Sequence, residues 1–132
     1  MRVHMDGTSP LPKQIFVFGS NLRGHHGAGA ARHAMDVLGA EYGVAEGFTG
    51  KCYAIPTKDA QIKTMTIDEI RPYADRLVQA MKDNPQVDFF MTRVGCVLAG
   101  HSDRAMATLF KGAQRLTNVD WPADWAHILM ER

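Results

Sequence analysis

Apolar positions along this chain change their period, and the changes mark its elements. Residues 15–18 (Ile-Phe-Val-Phe) form an unbroken apolar run stopped by Gly19, the pattern of a strand buried on both faces. Residues 29–38 contain few breakers and place Ala30, Ala34, Val37 and Leu38 on one side, a short helix ended by Gly39. Residues 52–56 (Cys-Tyr-Ala-Ile-Pro) read as a second strand. The clearest helix spans residues 66–82, with Ile67, Ile70, Ala74, Leu77, Val78 and Met81 at helical spacing. Thr66 and Glu69 stand as a capping box, each side chain answering a free backbone N–H. Pro72 lies inside this pattern, so the helix either kinks there or splits into a first turn ending at Arg71 and a second segment. Asn84-Pro85 ends it, and residues 87–94 read as a central strand. Ser102 caps a further helix with Met106, Leu109, Phe110 and Ala113 on one face. Residues 125–130 (Trp-Ala-His-Ile-Leu-Met) read as the last strand. Strands alternating with helices predict an α/β fold, a mostly parallel sheet between helices. One domain is expected from residue 14 to residue 132, after a flexible lead-in of residues 1–13 that carries Pro10 and Pro12.

Length and charge narrow the function without naming it. A chain of 132 residues suits one domain with a real core. The net charge of +1 supplies no field to gather nucleic acid or a membrane surface, and no apolar run approaches membrane-spanning length. Cys52 and Cys96 have neither zinc-site nor C-x-x-C spacing, which suits two reduced thiols in a cytoplasmic protein. Nothing calls for a membrane partner, a cofactor or a particular oligomeric state.

Two loops are unusual in composition. The first, residues 19–31, follows a buried strand and enters a helix through Gly27, Ala28, Gly29, Ala30 and Ala31. Small residues let a ligand approach the backbone, and the free N–H groups of a helix start favour an anion. The spacing is not the dinucleotide fingerprint, because Arg32 stands where the third glycine would be. The second loop, residues 93–103, again joins a buried strand to a helix, with Gly95 and Gly100 around Cys96, Val97, Leu98 and Ala99. Successive N–H groups in such a turn form an anion-binding nest. Two such loops beside adjacent strands would hold a ligand with separated polar groups, such as a diphosphate and a ribose.

Residues 16–31 (FVFGSNLRGHHGAGAA), 53–59 (YAIPTKD) and 92–100 (TRVGCVLAG) together resemble a group of short bacterial and bacteriophage proteins related to macro domains. The resemblance runs from about Ile15 to Phe110. It implies a three-layer mixed sheet between helices and binding of ADP-ribose or a derivative. It also implies hydrolysis, either of ADP-ribose 1″-phosphate or of ADP-ribose attached to a target, although many members only bind. Carried over, Asn21 lies near the distal ribose, and the ligand-binding set is Gly19, Ser20, Gly27, Ala28, Gly29, Ala30, Ala31 and Thr57 with Gly95, Cys96, Val97, Leu98, Ala99 and Gly100. Two positions depart from the pattern. Val97 replaces a glycine, so it either keeps an ordinary conformation with its side chain outward or alters the nest. His101 stands where an aromatic residue often lies.

Hydrolysis needs a group that activates water or protonates a leaving oxygen. Asn21, His25 and His101 are the candidates, since an imidazole is a common proton donor and acceptor in hydrolysis. Solvent exposure is the simpler reading of His25 and His26, and a first-turn acid is the simpler reading of Asp103. Lys58 and Asp59 follow a strand end, where they either reach the ligand or form a turn. Cys96 has no evident histidine partner and suits small-residue packing. The histidines lack a metal-ligand framework, so no structural metal is expected. Alongside the hydrolase reading stand a non-catalytic ADP-ribose or nucleotide-binding module and an RNA-associated module. The second is weakened by neutral charge and the lack of an aromatic and basic stripe.

Overall fold

A computed structural model describes residues 1–131 and gives an α/β fold with a six-stranded mixed sheet. In chain order the elements are β1 (Arg2–His4), β2 (Gln14–Asn21), α1 (Gly29–Leu38), β3 (Gly47–Thr49), β4 (Cys52–Lys58), α2 (Ile67–Asp83), β5 (Asp88–Met91), α3 (Asp103–Thr108), β6 (Val119–Pro122) and α4 (Ala123–Leu129). The sheet order is β1-β6-β5-β2-β4-β3, and every neighbouring pair is parallel except β3 with β4.

Side-chain alternation in the central strands divides the core in two. Val17, Ile55, Phe89 and Met91 point to one face, where they meet α2, α3 and α4 through Leu77, Met81, Met106 and Trp125. Phe16, Phe18, Cys52, Ala54 and Phe90 point to the other, covered by α1 through Ala31 and Ala34. The expected three layers are therefore present. Helix α2 has the predicted capping box: Glu69 N–H donates to Thr66 Oγ1 (3.2 Å) and Thr66 N–H to Glu69 Oε1 (2.9 Å). It runs as one element through the exposed Pro72, so the split at Arg71 does not occur.

Two expectations are corrected at the chain ends. Arg2–His4 is no lead-in but a strand paired in parallel with β6, anchored by a bidentate Arg2–Asp88 contact (2.6 and 3.1 Å). Residues 125–130 belong to a helix, because Trp125, Ile128 and Leu129 repeat at i, i+3 and i+4 and all three are buried. The last strand lies just before it, Val119–Pro122, with Val119 and Trp121 buried and Asp120 on the opposite face. Among the described residues no helix is long and apolar enough to cross a membrane.

Candidate functional site

From β2 the chain leaves through α1 on one face of the sheet, and from β4 it leaves through α2 on the other, to reach β5 on the far side of β2. That reversal opens a crevice at the carboxyl ends of the strands, where sheets of this type bind ligands. A cleft of about 530 Å³ occupies it, within the usual range for small-molecule sites.

The first glycine-rich loop is built around Asn21, where the β2–β4 register shifts. The Asn21 amide donates to His25 O (2.7 Å) and accepts from His25 N–H (3.0 Å), so one side chain brackets the turn at both ends. Residues 27–31 line the cleft and lead into α1. Ala28 occupies the N-cap position without a side-chain hydrogen bond, and the first turn carries no acid. The free amides of this helix start are therefore open to an anion. Gly29 has φ +59°, and a Cβ there would lie 2.9 Å from Leu98 Cδ1. Leu98 thus reaches from the second loop to the first across the cleft.

The second loop leaves β5 through Thr92, whose hydroxyl donates to Val17 O (2.6 Å), and closes when His101 N–H donates to Gly95 O (2.8 Å). Gly95 has φ +76° and sits against Met106, with a Cβ placed 2.8 Å from its sulfur, so only glycine fits. Val97 keeps a negative φ and its side chain is 75% exposed, which settles the alternative in favour of an ordinary conformation facing outward. Behind the loop, Asp103 accepts from Arg93 Nε and Nη2 (2.8 Å each) and from Trp125 Nε1 (2.8 Å). The Arg93 guanidinium holds this carboxyl below the usual aspartate range, although partial burial opposes the shift. Arg93 is raised in return, chiefly by the same hydrogen bonds. Burial first, then the Asp103 charge, pushes the Cys96 thiol up to about 12.

Most of the expected site residues meet in this cleft. Gly19, Ser20, Asn21, His25, residues 27–31, Thr57, Gly95, Val97, Leu98 and Ala99 all line it. Cys96, Gly100 and His101 do not. Cys96 packs against the larger core, and the His101 ring donates through Nε2 to Met65 O (2.7 Å), which makes it a brace. His26 is fully buried, its Nε2–H donating to Glu41 O (3.1 Å) and its ring edge-on to Phe18. His25 stacks on Tyr42 with centroids 5.1 Å apart and is the one histidine of the first loop that faces the cleft. Asn21 lines the cleft, but its amide already serves the loop. Asp59 forms a turn, its Oδ1 accepting the N–H groups of Gln61 and Lys63, while Lys58 lines the cleft.

One end of the cleft was not foreseen. Residues 4–8 form a wall, and Phe16 and Phe90 lie in the floor. The His4 ring stacks on Phe90 at 3.9 Å, with Nδ1 2.9 Å from Asp120 Oδ1, and Phe16 follows at 6.2 Å. Strand β1 has three residues, too short for a period to show, so the sequence carries no signal for this wall. Among the described residues, no three His, Cys, Asp or Glu side chains are grouped to hold a metal ion.

No protein-family model matches the chain, and no curated protein is similar to it by sequence. It is similar to a solved structure of a protein of unknown function from Bacteroides thetaiotaomicron, at 16% identity and TM-score 0.47. That likeness covers 91% of this chain and 98% of the other, and it carries no argument about function.

Proposed function

We propose that the cleft binds ADP-ribose or a derivative of it. The observation that carries this reading is the meeting of two glycine-rich loops, from the ends of adjacent strands β2 and β5, across one cleft beside an uncapped helix start. Backbone amides on both sides suit a diphosphate, because they are fixed dipoles that need no reorganisation. The aromatic floor at Phe16 and Phe90 suits a base, and the Asn21–His25 end suits the terminal ribose. This assignment agrees with the macro-domain resemblance of the loop sequences.

Turnover rests on His25 alone among the three candidates. Its ring faces the cleft without a hydrogen bond among the described residues, so it is free to give or take a proton at the ribose end. The commitment of Asn21 to its own loop and of the His101 ring to Met65 O favours the second reading, a binding module without turnover. Calorimetric titration with ADP-ribose, with AMP and NAD as controls, tests the binding proposal: saturable micromolar binding of ADP-ribose supports it, and its absence refutes it. Turnover of phosphorylated and protein-linked forms by wild type, lost in His25→Ala with affinity retained, separates hydrolase from binding module. An RNA titration in which binding is weak at all salt concentrations disposes of the nucleic-acid reading.

A further inference from the structure

We infer, building on the ADP-ribose reading, that His4 is a specificity-determining residue: a fixed hydrogen-bond acceptor that selects a base carrying an amino group on its edge. His4 lines the cleft, and its side chain is only 9% exposed. The ring lies flat over Phe90, with centroids 3.9 Å and planes 15° apart, and Phe16 is next in the row, 6.2 Å from Phe90. A base set on this floor beside His4 turns its edge, not its face, to the imidazole. Edge contacts are hydrogen bonds, so the roles of the two ring nitrogens decide which base fits.

A relay that starts at the backbone settles those roles. Leu11 N–H donates to Gln14 Oε1 (2.8 Å), which fixes the amide of the buried Gln14 and leaves its Nε2 as a donor. That Nε2 donates to Asp120 Oδ2 (3.1 Å) and, at 3.4 Å, to Asp88 Oδ2, a carboxylate already paired with Arg2. The other Asp120 oxygen, Oδ1, lies 2.9 Å from His4 Nδ1. A carboxylate oxygen only accepts, so Nδ1 carries the proton and Nε2 of the neutral ring is an acceptor. Nε2 makes no hydrogen bond among the described residues, yet it is not sealed in. The unpartnered side-chain polar atoms cut off from solvent there are His26 Nδ1 and Trp121 Nε1. Nε2 therefore opens to the cleft that its ring lines. The other charged side chains at this end leave its character unchanged: Asp6 and Asp124 also accept, and Arg93 is committed to Asp103 and Asp124. Both His4 and Asp120 lie outside residues 15–110, on β1 and β6, so this contact does not follow from the loop resemblance.

The test is calorimetric titration of wild type, His4→Phe and Asp120→Asn at about pH 8.5, where an ordinary histidine is neutral. The two ligands are ADP-ribose and its analogue with unsubstituted purine in place of adenine. Wild type is expected to prefer ADP-ribose by about tenfold, because the analogue leaves Nε2 without a donor. His4→Phe keeps a ring over Phe90 but has no acceptor, so the preference should disappear. In Asp120→Asn the new amide keeps its oxygen toward the Gln14 donor and turns its NH2 to His4 Nδ1, which moves the ring proton to Nε2. An acceptor becomes a donor, and the preference should vanish or reverse. Two-bond 15N–1H correlation of the imidazole reads the same switch directly, from an Nδ1–H ring in wild type to an Nε2–H ring in Asp120→Asn. Equal affinities in wild type, a preference that survives either substitution, or a wild-type Nε2–H ring overturns the assignment and leaves the ADP-ribose reading standing. If neither nucleotide binds, the ADP-ribose reading fails, and adenosine against purine riboside then reads the base site by itself. A preference for adenosine that His4→Phe removes upholds the role of His4; equal binding, or none, overturns it.

Discussion

The two faces of the sheet are built differently. On one, α2 alone buries Ile70, Ala74, Leu77, Val78 and Met81, and Trp121, Trp125 and Phe110 complete a layer of large side chains. On the other, α1 buries only Ala31 and Ala34, over a sheet surface of Phe16, Phe18, Cys52, Ala54 and Phe90. Burial of large apolar groups dominates stability, so the first face holds the fold together. The alanine face allows the start of α1 to approach the strand ends closely and leaves its amides uncovered. One face supplies more of the stability, and the other, covered by a helix that buries only alanines, leaves room for a ligand.

The comparison can be broken by substitution. Leu77→Ala on the heavy face should destabilise the protein by about 2–5 kcal/mol in chemical denaturation, with ligand affinity unchanged while the protein stays folded. A loss below about 1 kcal/mol would mean that this face is not the main support. Gly29→Val on the light face should do the reverse. Its Cβ meets Leu98 at a positive φ, so binding should fall by more than about a hundredfold while melting stays cooperative. Unchanged affinity would remove the first loop from the phosphate site.

Asp103→Asn sharpens the boundary between the two regions, because Asp103 ties the second loop to α3 and α4. It should destabilise by about 1–2 kcal/mol at neutral pH. The wild-type carboxyl lies below its unfolded value, so its contribution is complete above about pH 4 and fades as pH falls through the lowered value. The gap between wild type and Asp103→Asn should therefore close in acid; a gap that widened there would contradict the Arg93–Asp103 pairing. The smallest effect is expected at Ile62. Ile62 lines the cleft at φ +63°, and Ile62→Asn relieves that conformation, so stability should stay within about 0.5 kcal/mol of wild type or rise, while affinity for ADP-ribose falls. A marked loss of stability would show that Ile62 serves the fold.

Legibility followed local periodicity. Helix α2 was readable because its apolar spacing and the Thr66–Glu69 box agree over many turns. The strands β2, β4 and β5 were readable as apolar runs, and both loops as glycine clusters. Residues 125–130 misled because a short apolar run fits either period, and the strand before them hides between Asp120 and Pro122. Strand β1 and the wall at residues 4–8 depend on pairing with β6, more than a hundred residues away, which no local pattern can announce. Gly19, Ser20, Asn21, His25, Gly27 to Ala31 and Thr57 were placed in the cleft by sequence order, since strand ends gather at one edge. Cys96 and His101 were misplaced for a related reason: within a tight loop, neighbours point in opposite directions, and here Cys96 packs against the larger core while the His101 ring bonds Met65 O. Ile62 carries no sequence signal, because strain appears only in the folded backbone.

The most direct measurement is an amide chemical-shift titration of the 15N-labelled protein with ADP-ribose. Saturable shifts concentrated at the amides of residues 27–31 and 95–99, with little change along α2, are the predicted result. Absence of shifts, or shifts centred away from both loops, would contradict the account that the two glycine-rich loops hold the ligand.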